Sequence, residues 1–134
     1  MKVLNVNELV GSDRHVICPK GGFQSLRPVL ACDGMGFSVH KTLIPVGSTQ
    51  TWHYANHLEA CYCVAGRGEL VNMETWEKHF IEPDVIYVLD KHDKHQFTAL
   101  EPVVLISIFN PPVTGVEVHD ANGSYPVEDS NVGL

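Results

Sequence analysis

The sequence predicts an all-β domain, and three observations carry that expectation. Short runs of strand-forming residues recur along the chain at near-regular spacing. Clusters of Gly, Pro, Asn and Asp separate them. No long segment places apolar residues at the three- and four-residue spacing of an amphipathic helix. Residues 3–9 read as an opening strand closed by a turn at Gly11-Ser12, with residues 6–11 the one short helical possibility. Residues 23–32 form the next run and end at Asp33-Gly34. Residues 37–45 alternate, with Phe37, Val39, Lys41 and Leu43 on one side and Ser38, His40, Thr42 and Ile44 on the other. A further strand covers residues 57–65, a tight turn falls at Gly66-Arg67-Gly68, and residues 69–73 continue beyond it. Runs at 76–81, 85–89, 95–99 and 103–109 complete the set. Many short strands joined by turns fold as a sandwich or a barrel.

A chain of 134 residues is long enough to bury its own core as one domain. Hydrophobic residues make up 44% and charged residues 19%, a globular composition. The net charge is −7, and no Lys/Arg cluster offers a surface to phosphates, so nucleic acid is not expected as a partner. No apolar run has the length of a membrane span, and the first residues lack the basic-then-apolar pattern of a signal peptide. Cys18, Cys32, Cys61 and Cys63 form no CxxC pair and read as small buried hydrophobes in a reducing cytoplasm. Beyond Asn110-Pro111-Pro112 the chain turns polar. We therefore expect a domain over residues 1–119 and a flexible C-terminal tail, or a lid, over 120–134.

The middle of the chain carries the chemistry. Five residues separate Gly47 from His53, Glu59 follows six positions after His53, and six residues then lead to Gly66. This resembles the first motif of the cupins, a Gly, a His-x-His pair, a Glu and a closing Gly, with Ala55 in place of the second His. Residues 83–95, from Pro83-Asp84 to Lys94-His95, resemble the second cupin motif, with Val85 near the usual Gly. The resemblance implies a small jelly-roll-like barrel with its site in the mouth. His57 and Glu59 share a strand face, and Tyr87 should point inward. A carboxylate, an imidazole and a phenol form an oxygen-rich set suited to a divalent iron, manganese or zinc ion. Without a metal, Glu59 would be a barrel-mouth carboxylate and Tyr87 a core residue.

Several strings then resemble the ectoine synthase family: Met35-Gly36-Phe37-Ser38, His53-Tyr54, Asn56-His57-Leu58-Glu59-Ala60, Leu89-Asp90-Lys91-His92-Asp93, Phe109-Asn110-Pro111-Pro112, Thr114-Gly115 and Glu117-Val118-His119-Asp120. Gly11-Ser12-Asp13-Arg14 and Tyr125-Pro126 are similar too, so the resemblance runs through almost the whole chain in order. It implies a cyclocondensation in which N-γ-acetyl-L-2,4-diaminobutyrate closes into the compatible solute ectoine and releases water. It also implies a homodimer, and a divalent metal, iron(II) before zinc or manganese, held by Glu59, Tyr87 and His95. The substrate pocket would draw on Phe23, Arg27, Thr42, Tyr54, His57, Asp93, Ser107, Phe109, Glu117 and His119.

That chemistry sets roles for these residues. An amide carbonyl is a poor electrophile, and a metal ion can polarise it. The attacking amine needs a base, for which Glu117 and His119 stand on one face of their segment. Loss of water needs an acid, with His57 or Tyr54 placed to serve. Arg27 can clamp the substrate carboxylate, with a further hydrogen bond from Thr42. Three positions depart from the family pattern: Phe23 for Trp, Ser107 for Cys, and Trp52 where a His is common. The competing readings are a cupin acting on another N-acyl diamino acid, a cupin oxygenase, and a non-catalytic metal-containing binder of small molecules. His15, His40, His79 and His92 receive no role.

Overall fold

The computed structural model describes residues 1–115, 117–120 and 123–126. Ten strands run through it: β1 (His15–Ile17), β2 (Gln24–Val29), β3 (Ser38–Ile44), β4 (Thr49–Trp52), β5 (Leu58–Ala65), β6 (Gly68–Asn72), β7 (Lys78–Ile81), β8 (Ile86–Leu89), β9 (His95–Ala99) and β10 (Val103–Asn110). They form a six-stranded sheet in the order β1-β2-β3-β10-β5-β8 and a four-stranded sheet in the order β4-β9-β6-β7, with every pairing antiparallel. The inward faces of the two sheets enclose one core that includes Phe97, Leu105, Phe109 and Ile44. The expected all-β, barrel-like class is the one observed.

The start of the chain differs from expectation. Residues 3–9 do not form a strand; Val6–Leu9 is a single 3₁₀ turn. Asn5 explains it, because its side-chain oxygen accepts from the Asn7 amide and caps the turn. Two strands were not legible. β1 has only three residues, and β4, Thr-Gln-Thr-Trp, is too polar to show apolar alternation. Edge position accounts for both, since each is paired along one side only.

Two glycines set the joins that matter for the site. Gly66 has φ 83°, and a Cβ there would strike the backbone carbonyl of Pro102. Only glycine lets the β5–β6 turn pack against the entry to β10. Gly123 has φ 73°, and a Cβ there would strike the carbonyl of Thr51 at β4. Gly123 therefore lies directly against β4 of the four-stranded sheet. His53 N donates to Gly123 O (2.9 Å), Ala55 N to Ser124 Oγ (3.1 Å) and Asn56 Nδ2 to Tyr125 O (2.9 Å). Tyr125 is buried in the core. Of the expected C-terminal tail, residues 121, 122 and 127–134 lie outside the described residues.

Candidate active site

Strand pleating carries the polar residues of β3, β5 and β10 inward. On β3 the buried side is Ser38, His40, Thr42 and Ile44, while Val39 and Leu43 are half-buried on the outer side. On β5, Glu59, Cys61 and Cys63 are buried, and on β10, Leu105, Ser107 and Phe109. Of these, His40, Thr42, Glu59, Cys61, Leu105, Ser107 and Phe109, together with Phe23, Ser25, Trp52, Tyr54, Tyr87, His119 and Tyr125, line a tight cavity between the sheets with about 10 Å³ of free space. A larger trough of about 570 Å³ lies between β7 and β8 and meets Tyr87 and His95 from outside. Its walls carry Lys78, His79, Asp90 and Lys91, and it shares Tyr87 with the tight cavity, where Glu59, Tyr54 and His119 converge.

Five buried side-chain atoms lack a hydrogen-bond partner among the described residues: His40 Nε2, His57 Nδ1, Glu59 Oε1, Tyr87 OH and His95 Nε2. Three of the five belong to the residues expected to hold a metal. Buried polar atoms in folded proteins are nearly always satisfied, so such a concentration points to a missing ligand. Glu59 and Tyr87 come from adjacent strands of the six-stranded sheet, and His95 begins β9 of the other. His95 Nδ1 lies 2.9 Å from the Asp93 carbonyl, which fixes the proton on Nδ1 and leaves the Nε2 lone pair free. Burial pushes the Glu59 carboxyl up to about 8, with the Cys61 thiol and the Ser107 hydroxyl opposing, and pushes His95 down to about 4. A carboxylate that is costly to leave charged and an imidazole kept neutral both suit a cation between them. No three of His, Cys, Asp and Glu cluster for a metal among the described residues, so the set depends on the Tyr87 phenol. The residues fit a divalent ion of hard to intermediate character.

Arg27 is 0% exposed. Its Nε donates to Ser25 Oγ (3.1 Å), Nη1 to Gly115 O (2.8 Å) and Nη2 to Tyr125 OH (3.3 Å), and the Tyr125 ring lies under it at 5.5 Å. All these partners are neutral, and none of the described ion pairs includes Arg27. A buried cation without a carboxylate is ready for one from a ligand.

Tyr54 OH and His119 Nε2 are 2.7 Å apart. Burial raises the Tyr54 phenol well above its usual range and lowers His119 to about 3, so the phenol keeps its proton and the imidazole stays neutral. His119 stacks between Tyr125 (4.5 Å, 13°) and Trp52 (5.5 Å, 29°). Phe23 meets the Trp52 ring edge-on at 5.4 Å, so an indole stands in the pocket beside the smaller ring at position 23.

The remaining expected residues have more varied surroundings. Thr42 and Ser107 share a hydrogen bond (3.1 Å) within the cavity. His57 sits edge-on to Phe109 and Tyr125, and burial lowers its pKa. The Glu117 carboxylate is engaged by Thr114 N, Thr114 Oγ1 and Gly115 N, each at 2.7 Å. Burial opposes its charge, but those hydrogen bonds outweigh burial and hold it below the ordinary range. It braces the turn whose Gly115 carbonyl holds Arg27. Asp93 lies away from the cavity. Its carboxylate accepts from Lys91 N (3.2 Å), and its carbonyl aims His95. His40, Ser25, Cys61 and Tyr125 line the cavity without having been expected there. The signal for His40, Thr42 and Ser38 was their shared parity on β3, which the more apolar Val39 and Leu43 masked.

A two-sheet antiparallel barrel with inward polar residues from both sheets defines the cupin class, and the cupin domain of Schizosaccharomyces pombe Cnp3 shares the fold alone (TM-score 0.57, 11% identity, covering 66% of this chain and 64% of that one). The family model described as ectoine synthase matches residues 1–129. The chain therefore belongs to the ectoine synthase family. L-ectoine synthase of Wolinella succinogenes is 48% identical over 128 residues, covering 96% of this chain and 98% of that protein. The crystal structure of ectoine synthase from P. lautus matches with a TM-score of 0.84 at 37% identity, over 97% of this chain and 95% of that one.

Proposed function

We propose that this chain catalyses the ring closure of N-γ-acetyl-L-2,4-diaminobutyrate to ectoine, with loss of one water. The observation that carries the reading is the coincidence of three unsatisfied buried ligand atoms, on Glu59, Tyr87 and His95, with a buried Arg27 that has no carboxylate partner among the described residues. Family membership supplies the substrate; these atoms supply a place for its two ends.

Glu59, Tyr87 and His95 would hold a divalent metal, iron(II) in our reading, which when bound polarises the acetyl carbonyl as a Lewis acid. Arg27 takes the α-carboxylate and, through it, fixes the neighbouring α-amine. Phe23, Trp52 and Phe109 wall the pocket and exclude water. Holding both ends of a flexible chain in the bent form removes much of the entropic barrier to closure. The Tyr54–His119 pair handles the proton from the amine: the phenol oxygen receives it while the phenol proton passes to His119 Nε2. His57, buried at the edge of Phe109, would relay the proton taken from the amine on to the departing hydroxyl, which leaves as water. Glu117 serves by bracing Gly115, and Asp93 by aiming His95. His119 and Tyr125 roof the cavity, which supports a lid that parts for the substrate.

The wider assignments belong to the same proposal: a role in compatible-solute synthesis under osmotic stress, in the cytoplasm, as a homodimer. The unpaired edge of β8, with exposed Ile86 and Val88, supports self-association. Among the described residues no helix is long and apolar enough to cross a membrane.

The test is direct. Iron-loaded protein incubated with N-γ-acetyl-L-2,4-diaminobutyrate should yield ectoine by chromatography, and Glu59→Ala should yield at least ~100-fold less. Metal uptake without ectoine would remove the substrate assignment and leave the metal site standing.

A further inference from the structure

A row of buried side chains crosses four neighbouring strands in register. His40 of β3 pairs with Ser107 of β10, Ser107 pairs with Cys61 of β5, and Cys61 pairs with Tyr87 of β8. Cys61 lies between two polar neighbours by this pairing and two positions from Glu59 on the same strand face. Its Sγ is 3.6 Å from Ser107 Oγ, and Ser107 Oγ is 3.1 Å from Thr42 Oγ1. The thiol and the Ser107 hydroxyl both stand beside the Glu59 carboxylate, and the thiol also stands beside the Tyr87 hydroxyl. Glu59 and Tyr87 already have a place in the reading above; Thr42, Ser107 and Cys61 have none, although Cys61 is 1% exposed and faces the cavity.

We propose that Cys61 is a positioning residue for the metal, and that Thr42, Ser107 and Cys61 form one directed line of hydrogen bonds ending on Glu59. This rests on the metal reading of Glu59, Tyr87 and His95.

The direction follows from donor counting. A ligating carboxylate has only lone pairs to offer, so the thiol hydrogen points to Glu59. The sulfur is then left to accept from the Ser107 hydroxyl, and the Ser107 oxygen to accept from Thr42. The line steadies one carboxylate oxygen so that the other faces the ion, the usual service of a group behind a metal ligand. It also commits the only hydroxyl hydrogen of Thr42. Toward the cavity Thr42 presents lone pairs alone, so it reads an N–H of the substrate and leaves the carboxylate to Arg27. The substrate pocket and the metal ligand are thereby joined through two side chains.

Zinc(II) titrated into the metal-free protein by calorimetry tests this, with melting of each metal-free variant as the control for folding. Cys61→Val, close in volume but without a donor, should weaken zinc binding about 10-fold or more. Cys61→Ser should stay within about 3-fold of wild type, because it restores the donor. Ser107→Ala should weaken zinc a few-fold, although it never touches the ion, and adding it to Cys61→Val should cost nothing further. Wild-type affinity in Cys61→Val, or equal loss in the Ser and Val variants, overturns the proposal and leaves the metal site intact. Should Cys61→Val fail to fold, unchanged zinc affinity in Ser107→Ala overturns it alone. A wild type that takes up neither zinc nor iron(II) overturns the metal reading itself, and this line with it.

Discussion

Arg27 illustrates how much of the site rests on single side chains. Its guanidinium is held by Ser25, Gly115 and Tyr125, so its orientation is set before any ligand arrives. Charged hydrogen bonds of this kind contribute about 1.5–3 kcal/mol. Arg27→Met should therefore raise KM by roughly 10- to 100-fold while changing kcat less, since the carboxylate is held alike in ground and transition states. Arg27→Lys should restore little, because a point charge cannot keep three separated contacts. Steady-state kinetics on the two variants checks both statements. Position 27 was legible in the sequence only through family likeness, since a lone Arg on a strand otherwise reads as a surface charge. The same holds for Glu117, expected as the base or as the group that orients it, whose carboxylate closes a turn on Thr114 and Gly115. Nothing in residue type or spacing separates a base from a brace; that depends on where the turn folds back.

At the scale of elements, β3 is the instructive strand. Its alternation was readable as two faces, but hydrophobicity would have put Val39 and Leu43 inside. The structure buries Ser38, His40, Thr42 and Ile44 instead, because the strand lines a polar cavity and not only a core. Strands over a binding site invert the usual rule, and that inversion is itself a sign of function. β4 was missed for a related reason: Thr49, Gln50 and Thr51 face outward or rest at an edge, and only Trp52 is buried. The roof formed by His119 and Tyr125 depends on β4 through Gly123, where an added Cβ would strike the Thr51 carbonyl. Gly123→Ala combines a positive φ with that close approach, so it should lift the roof. We expect KM to rise several-fold with only a small fall in melting temperature. Kinetics and thermal melting on the same preparation check this; a variant with wild-type KM would mean that the roof does not shape the pocket.

For the molecule as a whole, stability should depend on pH through buried histidines. His119 is lowered by burial to about 3 and His40 is pushed well below its usual range, while both recover ordinary values of about 6.5 on unfolding. Below that value the unfolded chain binds protons that the folded one refuses. Stability is thus complete above about pH 6.5 and falls as pH drops toward 3. His119 alone accounts for roughly 2 kcal/mol by pH 5. Urea titrations of the metal-free protein between pH 7.5 and 5 measure this, and His119→Asn should flatten the curve. The barrel was legible in the sequence because it depends on strand parity and turn spacing. The contacts of Val113, Gly115, His119 and residues 123–125 were not, because these residues lie far along the chain from the strands they meet.

The buried charge of Arg27, without a carboxylate partner among the described residues, has one more consequence. An empty pocket leaves a desolvated cation facing neutral dipoles, whereas a loaded pocket completes it, so ligand binding and folding draw on the same interaction. In the cell, molecules caught empty would be the ones that unfold and are degraded first. The amount of this protein would then follow the supply of the metabolite it holds, with no dedicated regulatory site.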